Sequence, residues 1–219
     1  MGVLDSGPAG QTVAMTTDAR QSIVTLDLEG VLVPEVWIAV AERTGVDALR
    51  RTTRDEPDYD ILMRYRLGVL ADHGLTMSLI SEVIAGLEPL PGAVAFLDEL
   101  RSITQVIILS DTFEQFAAPL MVHLGRPTVF CHRLIVENDR IVDYRLRQPD
   151  QKRRSVEAFH ELNYRVIAAG DSYNDTSMLG AADCGFLFNS PQNVRDEFPQ
   201  YPAVDDYDEL LALIRSRLG

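Results

Sequence analysis

Ile23-Val24-Thr25-Leu26-Asp27-Leu28-Glu29-Gly30-Val31-Leu32-Val33 is the stretch from which the rest of the chain can be read. A β-branched and aliphatic run stops on two carboxylates, and Gly30 lets the backbone turn away. An apolar run of this length between turn signals predicts a buried strand. Such a strand delivers Asp27 to its carboxyl end, where open α/β sheets keep their ligands. Asp27 and Glu29 are two apart and point to one side of an extended chain. Two anions at one spot repel unless a proton or a cation separates them. Taken alone, the stretch reads equally well as a solvated acidic loop after a strand.

Outward from this strand the pattern changes twice. Pro34–Gly45 reads as a helix, with Pro34 near its first turn and Gly45 at its end. A charged linker runs from Asp47 to Pro57, Asp58 caps a second helix reaching about His73, and Thr76 starts a third that ends near Gly86. Residues 35–88 therefore read as an all-helical insertion directly after the first strand. From Pro89 onward strands and helices alternate, the mark of a parallel sheet covered by helices. The expected order is a helix at Gly92–Arg101, a strand at Gln105–Leu109 ending on Ser110-Asp111-Thr112, and a helix at Pro119–Leu124 with Pro119 at its start. A strand at Thr128–Cys131 follows, then a hairpin of Leu134–Val136 and Ile141–Leu146 around Asn138-Asp139. Next come a helix at Lys152–Leu162 and a strand at Tyr164–Ala169 running into Gly170-Asp171-Ser172-Tyr173-Asn174-Asp175. Strands at Cys184–Phe188 and Ala203-Val204 and an amphipathic helix at Tyr207–Leu218 complete the chain. Residues 1–21 read as a disordered leader, with Met15 an alternative start. The expected fold class is α/β: a Rossmann-like doubly wound parallel sheet formed by 22–34 and 89–219, with a small helical cap at 35–88.

Composition narrows the function. With 219 residues, 46% hydrophobic and 24% charged, the chain has apolar mass for one large domain or one domain carrying an insertion. A net charge of −13 argues against nucleic acid, whose phosphates need a basic face, and against anionic membrane surfaces. No uncharged apolar run reaches the roughly 18 residues of a spanning helix, and no basic segment precedes an apolar core as in a secretory signal. Cys131 and Cys184 lie in apolar runs without C-x-x-C spacing, which suits reduced thiols in a cytoplasmic protein. His73, His123, His132 and His160 are scattered without ligand spacing and read as surface or packing residues. Asp205, Asp206 and Asp208 read as caps of the last helix. Nothing in the sequence fixes an oligomeric state.

Three strands thus end in Asp27-x-Glu29, in Ser110, and in Gly170-Asp171-x-x-Asn174-Asp175, with Lys152 on an intervening helix. In a parallel sheet these carboxyl ends lie side by side. Asp27 and Asp171 make a hard-oxygen site suited to Mg²⁺. The Ser110 hydroxyl, the backbone N–H groups of Asp111 and Thr112, and Lys152 supply donors for a phosphate. A carboxylate attacking phosphorus in line would give an aspartyl-phosphate, splitting one hard transfer into two. Lys152 is the only lysine among 20 basic residues. Arginine cannot replace a compact ammonium point charge, so the lysine is a candidate functional cation; survival by chance is the competing explanation. On the second helix Tyr59, Met63, Arg66 and Leu70 recur at spacings of four, three and four, with Leu62, Tyr65 and Val69 beside them. Arg66 therefore sits in an apolar row, where a guanidinium either meets an anion or snorkels to solvent.

The order Asp-x-(Asp/Glu)-Gly, strand-end Ser, Lys, Gly-Asp-x-x-Asn-Asp resembles the haloacid dehalogenase superfamily of phosphotransferases across residues 22–219. The helical insertion resembles the cap of its phosphoserine phosphatase branch. Asp27-Leu-Glu-Gly-Val-Leu-Val-Pro-Glu35, Leu109-Ser-Asp-Thr112 and Ala169-Gly-Asp-Ser-Tyr-Asn-Asp175 are similar to members that pass phosphate from O-phosphoserine to homoserine as well as to water. The resemblance implies Asp27 as nucleophile and Glu29 as general acid/base with its backbone carbonyl on the metal. It implies Ser110 and Lys152 on the phosphoryl group, Asp171 on Mg²⁺, Asp175 orienting the metal's water shell, and Asn174 touching phosphate. It further implies Glu35 on the substrate ammonium, Arg66 on its carboxylate, and Tyr59 and Met63 lining an apolar closure. Two departures stand out: Glu29-Gly30 replaces the usual aspartate and hydroxyl residue, and Asp111-Thr112 replaces the usual glycines. The extra methylene of Glu29 moves its carboxyl by ~1.5 Å, which is decisive for a proton-transfer group and suits an alcohol bulkier than water. A sugar-phosphate phosphatase or mutase of the same superfamily, a receiver-type signalling domain and a silent metabolite binder are the alternatives.

Overall fold

Strand β1 (Ser22–Leu26) lies between β2 (Gln105–Phe113) and β5 (Arg165–Gly170), parallel to both. The structure is a computed structural model that describes residues 20–218 apart from 54 and 57. β3 (Thr128–Glu137) and β4 (Arg140–Arg145) extend the sheet beyond β2, and β6 (Cys184–Phe188) and β7 (Ala203–Val204) extend it beyond β5. The order is β4-β3-β2-β1-β5-β6-β7, and β3 with β4 is the antiparallel pair. The chain runs outward from β1 on one side through β2 and β3, then returns to the other side through β5 and β6. The crevice at the ends of β1 and β5 is thus a topological switch point, where such sheets bind ligands.

Side chains alternate across this sheet and build two apolar cores. Val24, Leu26, Ile167, Ala169, Phe186 and Phe188 feed one core, while Ile23, Val166, Ala168 and Leu187 feed the other. The helices that cover them are α1 (Val36–Thr44), α2 (Tyr59–Asp72), α3 (Met77–Ala85), α4 (Ala93–Ile103), α5 (Glu114–His123), α6 (Gln151–Glu161), α7 (Thr176–Ala181), α8 (Gln192–Glu197) and α9 (Tyr207–Arg215). Leu97 of α4 and Leu210 of α9 pack in the first core, and Val156 and Phe159 of α6 in the second. The fold is the doubly wound α/β class expected from the sequence. No single helix among the described residues is long and apolar enough to cross a membrane.

Between Val36 and α4 the regular elements of the described chain are all helices, and their caps are those expected. Asp58 accepts from the N–H groups of Asp60 (2.9 Å) and Ile61 (3.1 Å), Thr76 accepts from Leu79 N–H at 3.2 Å, and Gly45 ends α1 at φ 72°. The expected linker contains a short 3₁₀ turn, Asp47–Arg50. Val40, Met63, Leu70, Ile80 and Ile84 of these helices share the first core with Phe113 and Phe116. Trp37 meets Phe116 edge-on at 5.4 Å. The helical segment is therefore packed down on α5 rather than standing apart. Leu62 and Val69 are buried as their stripe implied, but Tyr65 is exposed, with the Arg51 guanidinium 5.1 Å from its ring.

Five elements differ from the sequence reading. β2 runs on to Phe113 through a bulge: Leu109 pairs with Phe130 and Phe113 with His132, so Ser110, Asp111 and Thr112 stand opposite Cys131 alone. β3 is one continuous strand, parallel to β2 in its first half and antiparallel to β4 in its second. α5 begins at Glu114, which puts Pro119 inside the helix. Its burial of Phe116, Ala117, Leu120 and Met121 offsets the lost backbone hydrogen bond. The short helices α7 and α8 have too few residues to show a period and were not anticipated.

Residues 1–19 of the expected leader lie outside the described residues. Arg20 and Gln21 are tied to the core: Arg20 pairs with Asp183 at 2.7 Å, and Gln21 O accepts from Arg165 N–H at 2.9 Å. Cys131 and Cys184 are free thiols, buried and half-buried. Asp206 caps α9 through Glu209 N–H at 2.8 Å, while Asp205 pairs with Arg195 instead.

Candidate active site

At the end of β1 the chain curls back on itself. Asp27 N–H still donates to Ala169 O of β5 (3.0 Å), Gly30 N–H to Val33 O (2.8 Å), and Val33 N–H to Leu28 O (3.0 Å). Gly30 takes φ +80°, and a Cβ built there would lie 2.6 Å from the Asp171 carboxyl carbon, so only glycine lets the two loops meet. The Glu29 carboxylate accepts from Val36 N–H at 2.9 Å, occupying one of the orphan donors at the start of α1. Burial, reinforced by the neighbouring Glu35, pushes the Glu29 carboxyl up to about 7.

The loop after β5 is organised by Asp175. Its Oδ2 accepts from the N–H groups of Asp171 (2.9 Å) and Ser172 (3.1 Å), and its Oδ1 receives Lys152 Nζ at 2.7 Å. Gly170 makes this possible, since a Cβ there would sit 2.3 Å from the Asp175 carboxyl carbon. Lys152 Nζ also lies 2.9 Å from Asp27 Oδ1 and 3.8 Å from Asp111 Oδ2, and its side chain is 2% exposed. Burial works against the ammonium, but Asp175, Asp27 and Asp111 outweigh it and raise its pKa well above the ordinary lysine value. The lone lysine thus faces carboxylates and not solvent.

Carboxylate oxygens of Asp27, Asp171 and Asp175 come within 4.8 Å of one another, all three residues buried. Burial and repulsion from Asp175 and Asp171 push the Asp27 pKa well up despite Lys152. The cluster carries more negative charge than one ammonium balances, and its donors are hard oxygens; both fit a divalent cation such as Mg²⁺. Each of the three residues offers one carboxylate oxygen to such an ion.

A pocket of about 70 Å³ joins this cluster to the helical segment. That is room for roughly five waters. Asp27, Glu29, Ser110, Asp111, Thr112, Asp171 and Asn174 line its floor, and Glu35, Tyr59 and Arg66 its other side. Arg66 is 6% exposed, its guanidinium carbon 4.7 Å from the Trp37 ring centroid, and its Nη2 donates to Arg51 O at 2.9 Å. Its Nε has no hydrogen-bond partner, which leaves a buried donor for a ligand. Of the two sequence alternatives for Arg66, snorkelling to solvent is excluded. Burial lowers its pKa to about 10, so it stays charged at neutral pH. Tyr59 O–H donates to Asp111 O at 2.7 Å and ties α2 to β2.

Met63 is a correction. It shares the helix face with Arg66 but is wholly buried behind it, Sδ 3.8 Å from Arg66 Nη1, and does not line the pocket. Four pocket residues escaped the sequence reading: Trp37, Thr52, Thr53 and Ser172. So did His132 and Gln151, which sit behind Asp111. His132 was expected at the surface or in packing; it is buried, but it faces a site carboxylate. The bulge in β2 places it there, and a bulge leaves no mark on hydrophobic periodicity.

The haloacid dehalogenase-like hydrolase family model matches residues 21–183, about three-quarters of the chain. The chain belongs to the haloacid dehalogenase-like hydrolases. Among curated relatives, it is 63% identical over 189 residues to a phosphoserine phosphatase of Pseudomonas syringae pv. tomato, covering 86% of this chain and 80% of that one. It is 62% identical to the phosphoserine phosphatase ThrH of Pseudomonas aeruginosa, covering 86% and 92%. Of solved structures, one described as a phospho-aspartyl intermediate analogue of phosphoserine phosphatase superposes with a TM-score of 0.75 at 20% identity, covering 89% of this chain and 99% of that one. At that identity it shows the haloacid dehalogenase fold alone.

Proposed function

We propose that this chain is a Mg²⁺-dependent phosphoserine phosphatase that also transfers phosphate to homoserine, working through a phosphorylated Asp27. The observation that carries the reading is one pocket lined both by Asp27 and by Glu35 and Arg66. O-Phosphoserine has a phosphate at one end and a zwitterion at the other, and the printed names of the 62–63% identical relatives agree.

In this reading Arg66 takes the substrate carboxylate, Glu35 its ammonium, and Ser110, Lys152 and Asn174 the phosphoryl oxygens. Mg²⁺ held by Asp27, Asp171 and the Glu29 carbonyl, its water shell oriented by Asp175, would neutralise charge on the phosphoryl group. An Asp27 oxygen forms the bond to phosphorus as the bond to the serine oxygen breaks, and Glu29 gives that oxygen a proton. After serine leaves, Glu29 takes a proton from water or from the homoserine hydroxyl. The new oxygen bonds to phosphorus, and the Asp27–phosphorus bond breaks to restore the carboxylate. The helices of 35–88 act as the cap over the core of 22–34 and 89–219. The chain is then a cytoplasmic enzyme of serine and threonine biosynthesis.

³¹P NMR of O-phosphoserine with Mg²⁺ and enzyme, with and without homoserine, tests the proposal. Inorganic phosphate in both samples and O-phosphohomoserine in the second are expected; an unchanged O-phosphoserine signal rejects the substrate. Arg66→Ala is expected to raise KM for O-phosphoserine roughly 10- to 100-fold, the worth of one buried hydrogen bond to a charged group. Steady-state kinetics with p-nitrophenyl phosphate, which has no carboxylate, should show little change in the same preparation. An equal rise for both substrates removes Arg66 from recognition.

A further inference from the structure

The β2 bulge places a carboxylate, Asp111, at the phosphoryl end of the pocket, where the family resemblance implies a glycine. It is held by donors on every side. Asp111 Oδ1 lies 3.4 Å from His132 Nε2 and 3.3 Å from Gln151 Nε2; Oδ2 lies 3.1 Å from Asn174 Nδ2 and 3.8 Å from Lys152 Nζ. His132 Nδ1 accepts from Arg147 N–H at 3.1 Å, so the neutral ring carries its proton on Nε2, toward Asp111. Gln151 Oε1 accepts from Arg147 Nε at 3.0 Å, which turns its amide nitrogen the same way. Burial opposes the charge, yet Lys152, His132 and Asn174 hold this carboxyl well below the usual range.

Two of those partners, Asn174 and Lys152, are the groups assigned above to the phosphoryl oxygens. A phosphoryl oxygen hydrogen-bonded to Asn174 Nδ2 must lie within about 6 Å of Asp111 Oδ2. Like charges that close in a half-buried site repel with little screening. We propose that Asp111 is a specificity-determining residue that keeps the phosphoryl end weak, so that retention depends on the amino-acid end and free phosphate departs. O-Phosphoserine offsets the repulsion through Glu35 and Arg66; inorganic phosphate has nothing to offset it with. This role rests on the function proposed above.

The test is product inhibition by inorganic phosphate in O-phosphoserine turnover, for the wild type, Asp111→Asn, Asp111→Ala and Asp111→Glu, each checked for folding by thermal unfolding. Removing the charge is expected to lower Ki for phosphate about tenfold in Asp111→Asn and in Asp111→Ala. Asp111→Glu, which keeps the charge, is expected to stay within about threefold of wild type. A residue that merely supports the loop would raise Ki in all three. An unchanged or raised Ki in the folded charge-removing variants overturns the role given to Asp111. Absent wild-type turnover would strike the parent reading instead.

Discussion

Asp27→Asn is expected to give a folded protein whose turnover of O-phosphoserine falls by about 10⁴-fold or more. An amide of nearly the same shape keeps an oxygen for Leu28 N–H, 2.8 Å from Asp27 Oδ1, but no longer attacks phosphorus. The fold is expected to survive, because the charge removed is one of three that crowd within 4.8 Å, and Asp175 and Asp171 already push the Asp27 carboxyl toward protonation. Lys152 keeps Asp175 as its partner at 2.7 Å. Phosphate release and thermal unfolding measured on one preparation separate chemistry from stability. Turnover above one percent of wild type would remove covalent phosphorylation of Asp27 from the mechanism.

Lys152 carries the second large effect, and here chemistry and stability move together. Lys152→Ala leaves buried carboxylates of Asp27 and Asp175 without their cation, a loss of about 3–5 kcal/mol. For a chain of this size that lowers Tm by roughly 10 °C. Activity is expected to fall at least ~10³-fold, since the phosphoryl oxygens lose a point charge. Lys152→Arg is expected to be nearly as damaging. Its planar fork is larger than an ammonium, and the side chain is enclosed at 2% exposure. Near-wild-type rates and Tm in Lys152→Arg would make the lone lysine a compositional accident.

The sequence carries the catalytic floor because each part of it is local. The run from Ile23 to Asp27 reads as a buried strand, and Gly30 and Gly170 stand where the structure tolerates no Cβ. Gly170-Asp171-x-x-Asn174-Asp175 is a self-contained loop, with Asp175 capping backbone N–H groups three and four residues before it. The lysine stood out by composition. What the sequence does not show depends on partners distant along the chain. The bulge in β2 exists because of how β3 lies beside it, and it aims Asp111 at His132 and Asn174, 21 and 63 positions away. Propensity puts Pro119 at a helix start, because it carries no information about the core on which α5 packs. Met63 and Arg66 share a helix face, and only packing against Trp37 decides that one faces the pocket and the other sits behind it.

By itself, then, the sequence determined the doubly wound sheet, the strand ends that carry acids and donors, and the haloacid dehalogenase family, because periodicity and short-range spacing encode them. The tertiary structure alone decided which charges meet. Lys152 lies against Asp27, Asp175 and Asp111, and Arg66 keeps an unpartnered Nε buried beside the pocket. The physical reason is that electrostatic energy depends on separation in space and on burial, and chain order fixes neither until the sheet has closed.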